Sequence, residues 1–420
     1  MTGLKQVNQQ LWLDAVPLCD IAQQYSTPCY AYSQNVIEKN FGDYQNVLNN
    51  QPHLICFAVK ANSNIAILQT LARLGAGFDI VSMGELERVL IAGGKAEKVV
   101  FSGVGKTADE MRRALEVGIH CFNVESEAEL CLLDQTADDM GLVAPVSMRI
   151  NPDVDAGTHP YIATGLKESK FGINIDCAED TYARAAAMTH IRVLGIDCHI
   201  GSQITEVAPF IEALEHLIAL VDRLALTGIE LEHIDIGGGL GVRYRDECPP
   251  SIEDYLQPIL AQFKSRSETL ILEPGRSITA DAGVLITRVQ YLKNNGEKHF
   301  AMIDAAMNDI LRPALYEAWM DIKPVETNAT AAAIEYDIVG PVCESTDVLG
   351  RNRSLAIGAG DLLCICDAGA YGFSMSSNYN SRPRPAEVMV HGSEVHLIRA
   401  RESLADLTRG EHLLPEQKNR

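Results

Sequence analysis

The stretch HLICFAVKANSNIAILQTLARLGAGFDIVS, residues 53–82, has two short β-rich runs on either side of a helix-period pattern. Similar runs recur as far as residue 276, and most are nearly continuous in apolar residues, as expected of parallel strands buried on both faces. The clearest helical pattern between them covers residues 208–227. About eight strand–helix units in roughly 220 residues are typical of a TIM barrel, with a doubly wound open sheet as the alternative. The strand candidates are HLICFAV (53–59), GFDIVS (77–82), KVVFSGV (98–104), HCFNVE (120–125), PVSMRIN (145–151), VLGIDCHI (193–200), LEHIDIG (231–237) and TLILEPG (269–275).

Beyond residue 276 the pattern changes to strands with few helical stretches between them, which indicates a second, mostly β domain. The segment TPCYAYS at 27–33 is strand-like but precedes the first barrel strand, so we expect it to pair with that second domain. We therefore expect an N-terminal segment at 1–34, a barrel at 35–277 and a C-terminal β domain at 278–420. The strand candidates of the β domain are VLITRVQYLKN, HFAMIDAA, AAIEYDIVG, DLLCICDAG, AEVMVHG and EVHLIRARES.

The amino-acid composition limits the kind of partner that this protein binds and the compartment in which it functions. The chain has 420 residues, 47% of them apolar, and a formal charge of −21. This acidic balance argues against nucleic acid or an anionic membrane as the main partner. The 11 cysteines are irregularly spaced, which favours reduced thiols in a reducing compartment. With no pattern typical of a signal peptide or a membrane span, we expect a soluble cytoplasmic protein that binds a small molecule.

Two glycine-rich runs fail the standard nucleotide motifs. FSGVGKT (101–107) lacks the first glycine of a Walker loop, because Val100 stands there, and GGGLG (237–241) lacks the last glycine of the dinucleotide fingerprint, where Val242 stands. Three glycines directly after a strand still let backbone N–H groups turn toward an anion. Two interpretations of these glycines remain open: a phosphate-binding loop and an ordinary flexible turn.

Polar groups follow four of the barrel strands. Lys60 ends the first, His199 the sixth, Gly237–Gly239 follow the seventh, and Glu273–Arg276 end the eighth. In a barrel these positions share the C-terminal rim, where active sites lie. Lys60 leaves an apolar strand, so we expect its pKa to be depressed by burial, as suits a Schiff-base lysine. An amine, an imidazole, a phosphate cradle and a carboxylate on one rim together describe a pyridoxal phosphate site, in which the carboxylate keeps the pyridine nitrogen protonated.

The sequence resembles the family of diaminopimelate decarboxylases, within the alanine-racemase-like class of pyridoxal phosphate enzymes. The resemblance spans nearly the whole chain and implies a TIM barrel, a C-terminal β domain and a homodimer. Its motifs, in chain order, are FAVKAN, FDIVSMGEL, RINPDVDAGTHPYIATG, SKFGI, CHIGSQ, DIGGGLG, EPGRSI, PVCESTD and GAYGFSMSSNYNSRPRP.

The resemblance also implies residue roles. Lys60 binds pyridoxal 5'-phosphate covalently, His199 stacks on its ring and Glu273 pairs with the pyridine nitrogen. The implied cofactor-binding set is Lys60, His199, Ser202, Gly239, Glu273, Gly275, Arg276 and Tyr371.

For the substrate, the resemblance implies carboxylate recognition by arginine, which offers a bidentate fork. Cys343 is implied as the proton donor, reaching the site of the partner subunit together with Glu344. Arg312 could otherwise be a surface charge before a proline. The implied substrate-binding set is Arg276, Arg312, Tyr316, Glu344 and Tyr371.

Three rival readings remain open. A decarboxylase of ornithine, arginine or a carboxylated polyamine is disfavoured by Arg312 and by Glu344, because the related ornithine enzymes carry aspartate beside the cysteine. A racemase is disfavoured by Glu273, since racemases of this class place arginine opposite the pyridine nitrogen. A catalytically inactive regulatory homologue is disfavoured because Lys60 and Cys343 are both present. No metal is expected, because His391 and His396 lack partners at metal-ligand spacing, and Cys364 and Cys366 are interpreted as buried thiols.

Overall fold

The structure is a computed structural model that describes residues 3–155, 157, 170–327 and 332–415. Much of the RINPDVDAGTHPYIATG motif and the first residue of SKFGI lie outside the described residues. The chain divides into two compact units. The barrel unit contains Ser33–Gly283 and Gly369–Ser374, and the β unit contains Leu4–Tyr32, Val284–Ala368 and the chain from Met375 onward.

The N-terminal elements belong mainly to the β unit. Strands β1 (Leu4–Val7), β2 (Gln10–Leu13) and β3 (Val16–Pro17) form a small antiparallel sheet, followed by helix α1 (Leu18–Tyr25) and strand β4 (Cys29–Ser33).

The barrel unit has eight parallel strands that close into a ring, which confirms the predicted TIM barrel. The strands of this unit are β5 (His53–Ala58), β6 (Gly77–Ile80), β7 (Val99–Phe101), β8 (Cys121–Val124), β9 (Ala144–Asn151), the short outer β10 (Ile173–Asn174), β11 (Ile191–Asp197), β12 (His233–Asp235) and β13 (Thr269–Leu272). The order of pairing around the ring is β9, β11, β12, β13, β5, β6, β7 and β8, and β8 pairs again with β9. Its helices are α2 (Gln34–Leu48), α3 (Ile65–Arg73), α4 (Met83–Ile91), α5 (Ala108–Val117), α6 (Glu127–Met140), α7 (Ala178–Ala187), α8 (Ala208–Leu226), α9 (Ile252–Phe263) and α10 (Arg276–Thr279).

Local chemistry fixes the start of most of the barrel helices. Six of them begin directly after a residue whose side-chain oxygen accepts a hydrogen bond from a free backbone N–H of the first turn, as good N-caps do. These residues are Ser33, Asn64, Ser82, Thr107, Ser126 and Ser251. The strands are shorter than their apolar runs, because residues such as Val81 and Ser102 leave the ladder to enter the rim loops.

The β unit is built on one large sheet. Besides β4, its elements are β14 (Gly283–Asn295), β15 (Lys298–Ile303), α11 (Arg312–Tyr316), β16 (Ile322–Pro324), β17 (Ile334–Val339), β18 (Val348–Leu355), β19 (Leu362–Ile365), β20 (Ala386–His391), β21 (Glu394–Arg399) and α12 (Leu404–Leu407). The strand order in the sheet is β18, β17, β15, β14, β4, β20 and β21, and β19 pairs with both β14 and β16. The N-terminal strand β4 therefore lies between two strands from the second half of the chain.

The core of the β unit joins both ends of the chain. Leu13 and Leu18 pack with Ile286 and Val388, and Cys364 and Cys366 are buried in the same cluster as predicted. Among the described residues, no helix is long and apolar enough to cross a membrane.

Candidate active site

Each of the eight barrel strands supplies one polar side chain at or just beyond its C-terminal end. Most of these strands are otherwise apolar, so the polar groups converge on one end of a buried barrel. Apart from Lys60, which is partly exposed, all of them are buried. In chain order they are Lys60, Asp79, Ser102, Asn123, Arg149, Asp197, Asp235 and Glu273.

Lys60 forms an ion pair with Asp79. Its Nζ lies 2.5 Å from Asp79 Oδ2, and the Asp79 side chain is fully buried while about a third of the Lys60 side chain, 35%, is exposed. Burial alone lowers the pKa of Lys60, but the nearby charges of Asp79 and Glu273 raise it by more, so the net pKa is raised. The expectation of a depressed Lys60 pKa is therefore wrong, because it considered the apolar strand and not the carboxylates of other strands.

Glu273 belongs to a cluster of buried carboxylates. Single oxygens of Asp197, Asp235 and Glu273 lie within 4.8 Å of one another. Ser102 Oγ and Asn123 Nδ2 donate to Glu273 Oε1 at 3.4 and 3.3 Å. Burial, and then the neighbouring acidic charges, raise the pKa of Glu273 and of Asp235 well above the usual range. Burial and mutual repulsion both favour the protonated form of such closely spaced carboxyl groups.

His199 is held as a neutral ring. The backbone N–H of Gly238 donates to its Nδ1 at 3.2 Å, so the ring proton resides on Nε2. Burial, together with the positive charges of Arg149 and Lys60, lowers the pKa of His199 well below its usual value. A neutral imidazole presents a flat face without the desolvation cost of a charge.

The three glycines after β12 form a tight backbone cradle. Gly239 has φ +112°, and a Cβ atom there would lie 2.5 Å from the carbonyl oxygen of Gly201. A Cβ atom on Gly238 would lie 2.2 Å from the carbonyl oxygen of Glu273. Only glycine fits these positions. The N–H groups of Gly237 and Gly238 already donate to Asp235 Oδ1 at 2.8 Å and to His199 Nδ1 at 3.2 Å, so an anion would approach the N–H of Gly239.

Arg276 contacts two of the predicted residues, Ser202 and Tyr371, together with Tyr244, at the same end of the barrel. Its guanidinium donates to Ser202 Oγ at 3.0 Å and to Tyr244 Oη at 2.8 Å, and lies 4.8 Å from the ring centroid of Tyr371. Tyr371 has φ +55°, and its N–H donates to the carbonyl of Ala61, next to Lys60, at 2.8 Å.

The other predicted residues belong to the β unit. Arg312 and Tyr316 lie one turn apart on α11. Arg312 is buried, with Nη1 3.0 Å from the sulfur of Met320, which excludes the surface-charge reading. Cys343 and Glu344 lie on an exposed turn.

This exposed turn is held in place by side chains. Asp347 accepts from the backbone N–H of Val342 at 2.8 Å, Asn380 accepts from that of Cys343 at 2.8 Å, and the Tyr379 hydroxyl donates to Glu344. The turn therefore presents the Cys343 thiol and the Glu344 carboxylate at the surface of the chain in a fixed conformation.

Comparison with known proteins agrees with this arrangement. Residues 34–280 match the model of the pyridoxal-dependent decarboxylases, pyridoxal binding domain. A diaminopimelate decarboxylase of Pseudomonas aeruginosa is 60% identical over 97% of this chain and 98% of its own length. The chain belongs to the diaminopimelate decarboxylase family.

Solved members of the diaminopimelate decarboxylase family share the fold. The Helicobacter pylori enzyme complexed with L-lysine has a TM-score of 0.90 at 42% identity, with 93% of this chain and 98% of that chain covered. The M. jannaschii enzyme in complex with L-lysine has a TM-score of 0.93 at 38% identity, with 98% of both chains covered. Membership of this family makes the protein a carboxy-lyase whose cofactor is pyridoxal phosphate.

The residues of the barrel fit that cofactor. Gly238 and Gly239 let the loop after β12 pack tightly against the backbone of Glu273 and Gly201, and the Arg276 guanidinium supplies a positive charge suited to a phosphate group. The flat His199 ring, the Lys60 amine and the buried Glu273 carboxyl are the groups needed for the pyridine ring, the aldehyde and the ring nitrogen.

Sequence reasoning missed several polar residues of this family member's barrel. Asp79, Arg149, Asp197 and Asp235 lie inside strands, and they were treated as part of apolar runs. These residues could have been recognised from the sequence, because a single charged residue interrupts each of these apolar runs near its C-terminal end. Tyr244 was also missed, and its contact with Arg276 depends on a loop without a recognisable motif.

Proposed function

We propose that this protein decarboxylates meso-2,6-diaminopimelate to L-lysine and CO2, the last step of lysine biosynthesis by the diaminopimelate route. The observation that carries the proposal is the 60% identity, over almost the full length, to a diaminopimelate decarboxylase. Two related enzymes are solved with L-lysine, the expected product. The substrate is accordingly an amino acid.

Pyridoxal phosphate, when bound, supplies the electron sink that accepts the electron pair left by departing CO2. Lys60 would hold it covalently, and His199 would contact its ring. Its phosphate would be held, through backbone N–H groups or side-chain donors, by Ser202, Gly239, Gly275, Arg276 and Tyr371. The ion pair with Asp79 fixes the Lys60 amine at the strand end and controls when that amine is neutral.

Glu273 holds the proton on the pyridine nitrogen. Its buried carboxyl receives hydrogen bonds from Ser102 and Asn123, which orient it. Burial and the neighbouring acidic charges raise the pKa values of Glu273 and Asp235, so this environment favours a proton held between Glu273 and the group that it faces.

Arg276, Arg312, Tyr316 and Tyr371 recognise the substrate carboxylates, and Glu344 binds a substrate ammonium group. A desolvated guanidinium such as that of Arg312 binds a carboxylate strongly because it offers two parallel N–H donors. Holding the leaving carboxylate in one orientation selects which bond breaks. The Cys343 thiol would hold the proton that replaces the departing carboxylate.

We also propose that the enzyme is a cytoplasmic homodimer with shared active sites. Cys343 and Glu344 lie on an exposed turn, which supports their entry into the partner's site. In this proposal 35–277 is the cofactor-binding domain, 278–420 is the β domain, and 1–34 is a segment attached to the β domain.

The activity is tested by incubating the purified protein with pyridoxal phosphate and meso-diaminopimelate. CO2 and L-lysine should form in equal amounts, and both should be lost in Lys60→Ala, whereas the exposed-site variant Lys39→Ala should match wild type. Lysine without CO2, or neither product at any enzyme concentration, would refute the proposed function.

Shared sites are tested by refolding an equal mixture of Lys60→Ala and Cys343→Ala chains. In a mixed dimer one site carries both lesions and the other carries neither. Half of the dimers are mixed under random exchange, so about a quarter of all sites should be intact. Refolded wild type is the recovery control. If wild type recovers and the mixture stays inactive, each site is built from one chain.

A further inference from the structure

Two histidines and a cysteine meet at the N-terminal end of the barrel, opposite the Lys60 rim. His120 immediately precedes β8, Cys121 is the first residue of β8, and His233 is the first residue of β12. One nitrogen of each imidazole and the Cys121 sulfur lie within 4.8 Å of one another. The two rings are 5.3 Å apart between centroids, at an interplanar angle of 42°. Cys121 Sγ also donates to Asn123 Oδ1 at 3.6 Å, so the cluster adjoins the hydrogen bonds of Glu273 but contains no residue assigned a role in the reaction.

Two polar atoms of the cluster are unsatisfied. The Nε2 atoms of His120 and His233 are both buried and have no hydrogen-bond partner among the described residues. His233 is 2% exposed and Cys121 is fully buried. Buried polar atoms nearly always have partners, so an unsatisfied pair facing a thiol indicates an additional bound species.

The backbone makes room for this arrangement. A Cβ atom on Gly195 would lie 2.1 Å from His233 Nε2, so the ring lies directly over a glycine of the neighbouring strand β11. An imidazole ring in its neutral form has one nitrogen lone pair to donate to a metal ion.

We infer that His120, Cys121 and His233 bind one transition-metal ion of intermediate softness, of the Zn²⁺ class, with water as the fourth ligand. Two imidazoles and a thiolate are the donors that such ions prefer, whereas Mg²⁺ and Ca²⁺ require oxygen ligands. Ligand atoms about 2.0–2.3 Å from zinc lie roughly 3.3–3.8 Å apart in a tetrahedron, so side-chain shifts of about 1 Å close the site. On binding, the thiol releases its proton to solvent and sulfur bonds to the metal.

The ion would link β8 to β12 at the closed end of the barrel and stabilise the fold. Sequence spacing could not indicate this site, since its ligands come from two distant strands and not from a local motif. The expectation of no metal rested on His391, His396, Cys364 and Cys366, none of which is part of the cluster.

The test is a Zn²⁺ titration of the chelator-stripped holoenzyme against a competing indicator, with Tm as a second readout. His120→Gln, His233→Gln and Cys121→Ser should each bind this Zn²⁺ at least tenfold more weakly than wild type, and Zn²⁺ should raise the Tm of wild type but not of these three variants. The controls His396→Gln and Cys131→Ser remove an exposed imidazole and an exposed thiol, and should behave as wild type.

Retained visible absorbance of the bound cofactor and retained activity show that a variant is folded. His120 is only half-buried, so His120→Gln serves if His233→Gln does not fold. Substituting Co²⁺ should give a thiolate-to-metal absorption that Cys121→Ser lacks. The inference would be overturned if wild type and His120→Gln bound Zn²⁺ with equal affinity, or if wild type did not bind Zn²⁺ tightly.

Discussion

The Nζ atom of Lys60 lies 2.5 Å from Oδ2 of Asp79, across the C-terminal ends of neighbouring strands β5 and β6. This ion pair with Asp79 determines the charge of the Lys60 amine, which is the amine that the cofactor requires. An ammonium group is not a nucleophile, so covalent loading of the cofactor requires Lys60 to lose its proton. Asp79 therefore opposes loading at low pH while fixing the position of the amine.

Asp79→Asn should shift cofactor loading to lower pH. The substitution removes the negative charge and keeps the shape, so burial lowers the pKa of Lys60 with less opposition. The loading rate, followed by absorbance across a pH series, should reach its half-maximal value at least about one pH unit below wild type. Asp109→Asn, on the exposed start of α5, is the control. Superimposable profiles for Asp79→Asn and wild type would show that the ion pair does not control the amine.

Glu273→Gln should retain the fold and the cofactor but lower kcat by orders of magnitude. Losing the acidic partner of the pyridine nitrogen weakens the electron sink, and each ~1.4 kcal/mol added to the barrier costs tenfold in rate. Steady-state rates and cofactor absorbance measure the two effects separately. The exposed Glu253→Gln variant should match wild type. A Glu273→Gln enzyme within a few-fold of wild type would remove Glu273 from the mechanism.

The sequence determined the fold almost completely, because apolar runs of strand length separated by helical patterns leave few alternatives to a closed barrel. It also located the residues that follow strands, such as Lys60, His199 and Glu273. It could not give the sign of the Lys60 pKa shift. That sign depends on Asp79 and Glu273, which approach Lys60 only once neighbouring strands pair.

Arg312→Ala should raise KM for diaminopimelate. A desolvated, charge-assisted contact is worth about 1.5–3 kcal/mol, which corresponds to roughly 10- to 150-fold. Arg312→Lys keeps the charge without the bidentate fork, so its KM should fall between those of Arg312→Ala and wild type. The exposed Arg351→Ala variant is the control, and Tm shows whether the loss of a buried side chain disturbs the fold. Unchanged KM in Arg312→Ala would place Arg312 in a purely structural role.

Asp197→Asn should flatten the pH dependence of stability. Burial raises the pKa of Asp197 from 3.8 to about 7, so the folded protein keeps a proton that the unfolded chain releases above about pH 4. The stability contributed by this group is therefore present at low pH and is lost as pH rises through 7. Tm of the cofactor-free protein should fall less between pH 4 and 7 in Asp197→Asn than in the exposed control Asp180→Asn. Parallel pH profiles for the two variants would mean that Asp197 is ionised throughout.

The most direct test of the account is the specificity for the distal end of the substrate, measured as kcat/KM for CO2 release. meso-Diaminopimelate, L-ornithine and L-arginine should be compared with one preparation of the pyridoxal phosphate-loaded enzyme. The account predicts CO2 and L-lysine from meso-diaminopimelate, with ornithine and arginine slower by at least two orders of magnitude, because neither carries a second carboxylate for the arginines to bind. Equal or faster CO2 release from ornithine or arginine would contradict it.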